Sequence, residues 1–348
     1  MTRKPDIAGP GISSRRRAPM KLSTTSLVKV GSLPGAEGFP LVVEPTLEDL
    51  DPADWAANHR EWIDAKLQES GALLFRGFRV PDAFAFRAFV GALSSELLDY
   101  VERAAPRTQV APNVYTSTEF AADQSIPLHH EMSYSHNWPT RLWFYCDVPS
   151  PVGGATPLAP ERLVTSRIPE DIRQRFLEKK VMYVRNYGEG VDLSWQEAFQ
   201  TQERAEVERY CQSCGMTCEW RDGDRLRTRA VRQVMATHPR TGEALWFNHA
   251  PIFHETNLSP SVREALRAQF RPDEMPRNAF YGDGSPLEPE VLERIRGVYA
   301  DATVRFPWQK GDVLMVDNFL AVHGRDPFEG ERSILVAMAE LYVSPGPG

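Results

Sequence analysis

Leu128-His129-His130-Glu131 and, far downstream, Asn318-Phe319-Leu320-Ala321-Val322-His323-Gly324-Arg325 decide how this chain is read. The first stretch holds a His-x-Glu pair, and the second carries a lone His on the end of an apolar run. Two imidazoles and one carboxylate are the protein half of a facial iron(II) site, with the opposite face left open for substrates. On an extended strand, residues 129 and 131 point to the same face and His130 points away. Were His130 the ligand, its i+2 partner would be Met132, which offers no carboxylate oxygen. A His-x-Glu also arises by chance in a chain with 8 His and 47 acidic residues. The surroundings therefore have to carry the assignment.

The composition bounds the function classes. A chain of 348 residues with 42% hydrophobic and 25% charged residues is long enough for a large core and ordinary for a globular enzyme. A formal net charge of −7, with no basic domain, argues against a general nucleic-acid binder. Arg15-Arg16-Arg17 is a short basic run with no apolar segment after it, so no secretion signal is read there. No run approaches the roughly 18 apolar residues a membrane helix needs. The expected compartment is the cytoplasm. Cys211, Cys214 and Cys218 invite a zinc reading, yet no second pair follows and Cys146 stands alone in an apolar strand. Free thiols in a reducing interior are the expectation.

Residues 1–35 are rich in Pro, Gly, Ser and Arg and are expected to form a mobile tail, with order beginning near Phe39-Pro40-Leu41-Val42-Val43. Residues 36–348 are expected to form a single catalytic domain with helical insertions. Helical patterns fall at 51–70, 81–93, 161–178, 195–214, 260–269 and 288–300. Short strands dominate elsewhere: Gly71–Phe78, Arg141–Cys146, Lys180–Arg185, Ala244–Asn248, Asp312–Asp317 and Ser333–Met338. Many short strands between Gly/Pro turns predict a mainly β fold with flanking helices, a jelly roll rather than a parallel sheet.

Three further features belong with the His-x-Glu pair. Gly153-Gly154-Ala155-Thr156 follows a Pro-rich turn; its glycines permit close backbone approach, and Thr156 offers a hydroxyl to a carboxylate oxygen. Thr156 is equally readable as an ordinary turn residue. Gly311 to Asn318 runs a buried strand straight toward His323. Arg332 opens another apolar strand, where a buried guanidinium calls for an anion that its fork can hold in two hydrogen bonds. A salt bridge to Glu329 or Glu331 is the alternative for Arg332.

In their order and spacing these blocks resemble the iron(II)/2-oxoglutarate-dependent dioxygenases of the taurine dioxygenase/clavaminate synthase superfamily. Within it the chain is most similar to the branch named for the syringomycin-biosynthesis aspartyl hydroxylase. The resemblance covers about residues 70–342. It rests on Val114 to Glu119, Leu128 to Tyr134, Gly153 to Ala159, Trp246-Phe247-Asn248, Tyr281 to Ser285, Gly311 to Met315, and His323-Gly324-Arg325 with Arg332. It implies a double-stranded β-helix. It also implies iron(II), 2-oxoglutarate and O2, with His129, Glu131 and His323 as metal ligands and Thr156 and Arg332 holding the distal carboxylate of 2-oxoglutarate. Many relatives have Asp where this chain has Glu131. Relatives that halogenate have a small residue there, so Glu131 points to hydroxylation.

The likeness further implies an amino-acid-like substrate of secondary metabolism, free or presented by a peptidyl carrier protein, hydroxylated with release of succinate and CO2. Arg185, Arg232 and Asn248 are candidates to meet a substrate carboxylate or amide, with a structural role as the alternative for each. Tyr115 to Glu119 could line the pocket mouth. Desaturation or cyclisation begins with the same hydrogen abstraction. A zinc hydrolase on the same roll and a roll that keeps only the shape are the rival classes.

Overall fold

The longest apolar runs make the longest strands. Asn137–Val148 and Ser333–Val343 pair antiparallel, from Ser333 opposite Val148 to Val343 opposite Asn137, and form the centre of an eight-stranded major sheet. Its order is Val28–Ser32, Leu41–Pro45, Ala72–Phe75, Val313–Asp317, Asn137–Val148, Ser333–Val343, Val114–Thr116 and Gln109–Ala111. The computed structural model describes residues 27–94, 96–98, 108–117, 120–188 and 193–345. Residues 1–26 of the expected tail, and Thr118 and Glu119 of the expected pocket mouth, lie outside the described residues. Within the stretch 1–35 expected as a mobile tail, Val28–Ser32 is instead an edge strand paired with Leu41–Pro45.

Alternation along these strands sorts the core into two layers. Leu73, Phe75, Trp143, Tyr145, Val313, Met315, Leu335 and Ala337 face one way, and helices at Pro52–Asn58, Arg60–Ser70 and Ala83–Leu93 cover them with Trp55, Ile63, Leu67, Phe86 and Phe89. Leu74, Leu142, Phe144, Cys146, Leu314, Val316, Ile334 and Val336 face the other way, into the interior of the roll. Across that interior lies a three-stranded sheet of Ile126–His129, Ala321–Arg325 and Leu158–Pro160. The two faces, with short antiparallel strands and long crossovers, make a double-stranded β-helix. A four-stranded minor sheet, in the order Met216–Arg221, Arg225–Arg232, Val181–Tyr187 and Arg277–Tyr281, is an addition to the roll.

Several expected helices are interrupted where the backbone leaves helical space. The 51–70 pattern breaks at His59 (φ −127°), 161–178 breaks at Ile168-Pro169, and 195–214 breaks after Phe199, with Gln200 left-handed at φ 56°. Cys211 and Cys214 are buried against Tyr187, Trp195 and Phe199, and all four cysteines are free thiols. Among the described residues no helix is long and apolar enough to cross a membrane.

One ion pair anchors the strand that leads to His323. Asp312, 1% exposed, accepts from Arg76 Nε at 3.0 Å and Nη2 at 2.6 Å, and from the Gln309 N–H at 2.8 Å. Removing the carboxylate strands a guanidinium. Asp312→Ala should therefore lower stability by about 3 kcal/mol, read as a lower urea midpoint at unchanged slope. An unchanged midpoint would show that the pair contributes nothing.

Candidate active site

Pairing in register brings the two imidazoles together. His323 lies directly opposite His129 across the antiparallel pair of Ala321–Arg325 with Ile126–His129, and the ring centroids are 4.4 Å apart. On its other side His323 is opposite Leu158, an interior residue, so the imidazole faces into the roll. The neighbouring Val322 and Ala159 pack on the far side of the small sheet. Gly324 makes the close approach possible: a Cβ there would lie 2.6 Å from the Ile126 carbonyl oxygen. His129 Nδ1 donates to the Pro127 carbonyl at 2.8 Å, which leaves the lone pair on Nε2.

Glu131 arrives by a different route from the one strand parity suggests. The strand stops at His129, and Glu131 opens the turn after it, with Met132 at φ 58°. Asn318 sets its position. The Glu131 N–H donates to Asn318 Oδ1 at 2.8 Å, and Asn318 Nδ2 donates to the carbonyls of Glu131 at 3.0 Å and Pro139 at 2.9 Å. Glu131 Oε2 ends 3.7 Å from His323 Nε2. One donor atom from each of His129, Glu131 and His323 lies within 4.8 Å of the others. Among the described residues this is the one grouping of His, Cys, Asp or Glu able to hold a metal, so the three clustered cysteines do not form one. Two nitrogens and a carboxylate oxygen suit iron(II).

His130 does point away. It is fully buried, its Nδ1 donates to the Asn318 carbonyl at 2.5 Å, and its Nε2 is 3.1 Å from both Glu161 Oε2 and the Trp246 carbonyl. Burial raises the Glu161 carboxyl, and its bond to His130 opposes the shift. Asp317 closes the turn into the His323 strand, accepting from the Phe319 and Leu320 N–H groups at 3.0 and 3.2 Å.

The Gly153-Gly154 turn brings Thr156 and Arg332 onto the same structure. Gly153 (φ 68°) allows the Pro327 carbonyl to within 2.3 Å of where a Cβ would stand, and Gly154 (φ 70°) does the same for Arg332 Cδ and Nε at 3.0 Å. Arg332 Nε donates to the Gly154 carbonyl at 2.9 Å and Nη1 to Ser117 Oγ at 3.4 Å. Its bonds go to these neutral acceptors rather than to Glu329 or Glu331. Burial, with Arg325 adding to it, pushes the guanidinium down to about 10, so it is charged at neutral pH. Thr156 is 2% exposed, and its Oγ1 accepts from Trp308 Nε1 at 3.1 Å.

The remaining candidates divide. Asn248 spends its amide on the backbone, donating to the Val234 carbonyl and accepting from the Ala250 N–H, both at 3.2 Å. Arg185 and Arg232 are 3% and 2% exposed and lie on the minor sheet. Sequence reasoning passed over His249, the next residue after Asn248. Its ring is 5.5 Å from that of His129, its Nδ1 is 3.1 Å from Ser133 Oγ, and its N–H donates to the Tyr183 phenol oxygen at 2.6 Å. Burial first, then His129, holds its imidazole well below the usual range, so it is neutral. The strand ends at Trp246, so parity along Trp246-Phe247-Asn248 carries no information about which residue turns toward the site.

Comparison with known proteins agrees with this geometry. The family described as "Taurine catabolism dioxygenase TauD, TfdA family" matches residues 33–338. The dapdiamide synthesis protein DdaC of Enterobacter agglomerans is 44% identical over 311 residues, covering 89% of this chain and 94% of that protein. A clavaminate synthase-like protein of Arabidopsis thaliana is 33% identical over 321 residues, covering 87% and 94%. In fold, the chain is similar to a taurine dioxygenase from Burkholderia xenovorans, with a TM-score of 0.50 at 16% identity over 90% of this chain and 89% of that one. The chain belongs to the TauD/TfdA family and is a 2-oxoglutarate-dependent non-haem iron dioxygenase.

Proposed function

We propose that this enzyme hydroxylates an unactivated C–H bond of an amino-acid-like small molecule, free or presented by a peptidyl carrier protein, in secondary metabolism. The observation that carries the reading is the convergence of His129, Glu131 and His323, which would hold iron(II). Arg332 and Thr156 would seat the distal carboxylate of 2-oxoglutarate. Support for Arg332 comes from its half-buried charge, which among the described residues meets neutral acceptors only. Support for the substrate class comes from the relative that bears the name of dapdiamide synthesis. Free thiols fit a cytoplasmic enzyme, and residues 36–348 would work as one catalytic domain. Family membership sets aside the zinc hydrolase and the inactive roll.

The chain's own part is positioning and exclusion of water. Phe144 packs 5.0 Å from the His323 ring, and Leu158 faces the same interior. Asn318 fixes the backbone of Glu131 from both sides, so the carboxylate enters the site without a search over turn conformations. The Arg332 fork would fix one end of 2-oxoglutarate in a plane, and the Trp308 indole N–H orients the Thr156 hydroxyl. When bound, iron(II) supplies the oxygen-activating chemistry that couples decarboxylation of 2-oxoglutarate to attack on the C–H bond.

The test is anaerobic reconstitution with iron(II) and 2-oxoglutarate, followed by exposure to oxygen with amino acids, free and carrier-bound. Succinate release matched by a product heavier by one oxygen atom is expected. A product lighter by two hydrogens would replace hydroxylation with desaturation or ring closure. His129→Ala should abolish succinate formation, and full turnover in that variant would sink the ligand assignment. Arg332→Ala should raise the KM for 2-oxoglutarate by about 30-fold or more, since losing one partner of a buried charged pair costs about 2–5 kcal/mol; an unchanged KM would mean another residue holds the co-substrate. Asn318→Ala should weaken iron(II) binding by about 10- to 100-fold, measured by anaerobic titration, and wild-type affinity would refute the clamp.

A further inference from the structure

Arg232 is the last residue of the strand Arg225–Arg232 and is among the largest fully buried side chains of the protein. Its Nη1 reaches only the carbonyl of its own neighbour, Val231, at 3.2 Å, and its Nε and Nη2 are sealed from solvent with no acceptor among the described residues. No carboxylate of the described residues pairs with it. Other well-buried arginines have a clear use: Arg141 meets Asp64 and Glu340, Arg227 meets Asp273, and Arg325 holds the carbonyls of Phe120, Ala121 and Gln124. A cation taken out of water with nothing to offset it is one of the costliest arrangements a fold can keep. A guanidinium left in that state is prepared for an anion that arrives later.

The register of the minor sheet shows where that anion would sit. Arg232 pairs with Val181, Ala230 with Tyr183, and Thr228 with Arg185; Val181 and Arg185 in turn pair with Tyr281 and Arg277. Arg232, Tyr183, Arg185 and Arg277 thus share one face, and none of the paired positions on it is acidic. Arg185 and Arg277 stand directly opposite one another on it, so three of the paired positions of that face are arginines. Tyr183 is a diagonal neighbour of Arg232 on this face, two residues from its partner Val181; burial pushes the Tyr183 phenol up, opposed by its bond from the His249 N–H and by the charge of Arg232. The Tyr183 oxygen accepts from His249, and the His249 ring abuts His129. Tyr183 and His249 thus link the face that carries Arg232 to His129.

We propose that the substrate carries a carboxylate and that Arg232 seats it, with Tyr183 and His249 lining the way between that carboxylate and the carbon to be oxidised. The inference rests on the dioxygenase reading above and adds the chemical class of its substrate. It favours a free acid; a substrate tethered through its α-carboxyl would need a second carboxylate.

The test uses full-length enzyme loaded anaerobically with iron(II) and saturating 2-oxoglutarate, so that Arg332 is already occupied. The standard α-amino acids and their carboxamides are then titrated, with binding followed by the shift of the visible charge-transfer band and by thermal stability. At least one acid should bind wild-type enzyme about tenfold or more tightly than its amide, and that preference should vanish in Arg232→Met and be partly kept in Arg232→Lys. Without any ligand, Arg232→Met should melt at the same temperature as wild type or higher, since it removes a buried unpaired charge. The proposal is overturned if no acid is preferred to its amide, if Arg232→Met keeps the preference, or if Arg232→Met melts well below wild type while Arg232→Lys does not. Formation of the iron(II)/2-oxoglutarate charge-transfer band before any acid is added is the control for the dioxygenase reading; its absence from wild type would count against that reading rather than against the role of Arg232.

Discussion

The arrangement of this site depends on one cross-strand pair, His129 opposite His323. Side chains alternate along a strand, so a slip of one residue would turn one imidazole out of the roll and bring Leu128 or Val322 in. The register is held on both sides of His323, by Ile126–His129 on one edge and by Leu158–Pro160 on the other. The bulge between His323 and Arg325 holds it further, because it needs Gly324 at a point where a side chain would strike the Ile126 carbonyl. The pairing that brings the ligands together is the same pairing that separates the interior of the roll from the layer beneath Val322 and Ala159. Assembly of the site and formation of the core are therefore one event.

Asn318 extends this constraint to the carboxylate. Glu131 is beyond the end of its strand and has no ladder to hold it, so its placement falls to side-chain hydrogen bonds. Asn318 is fully buried and binds both backbone groups of Glu131, while its own carbonyl takes the His130 ring. His130 then ties the turn to Glu161 and Trp246. The doubled histidine thus divides the work. One ring faces His323, and the other fixes the turn that brings Glu131 to them.

How much of this was legible in the chain depends on which forces set each part. The roll was readable because short apolar strands between Gly/Pro turns leave few other ways to bury their faces, and the strands at 137–148, 313–317 and 333–343 fall where the apolar runs are. The helix breaks at His59 and Gln200 were not, since the local pattern is helical on both sides and the interruption comes from how the pieces dock. Parity identified His130 as the residue facing away, although its premise of a strand through Glu131 failed. Glu131 reaches the site through a turn whose shape comes from a residue far along the chain, which no local pattern encodes. Asn248 and His249 show the same limit: past the end of a strand, neighbours lose a fixed facing, and only the fold shows that the amide is spent on backbone while the imidazole meets His129.

Buried charge separates the arginines that the fold itself pairs from those proposed for binding more sharply than sequence position does. A guanidinium in the interior needs acceptors, and where the protein supplies them the residue is part of the scaffold, as with Arg76 on Asp312 or Arg141 on Asp64 and Glu340. Arg332 and Arg232 depart from that pattern in different degrees. Arg332 keeps two neutral acceptors and, among the described residues, no anion, at the rim of the glycine turn that bears Thr156. Arg232 keeps one carbonyl and is sealed completely. A single anion-binding cation would account for a co-substrate alone. Under the proposed roles, one cation on the roll would serve the co-substrate and a second on the minor sheet would serve the substrate, so the shared chemistry and the choice of what is oxidised would rest on different sheets.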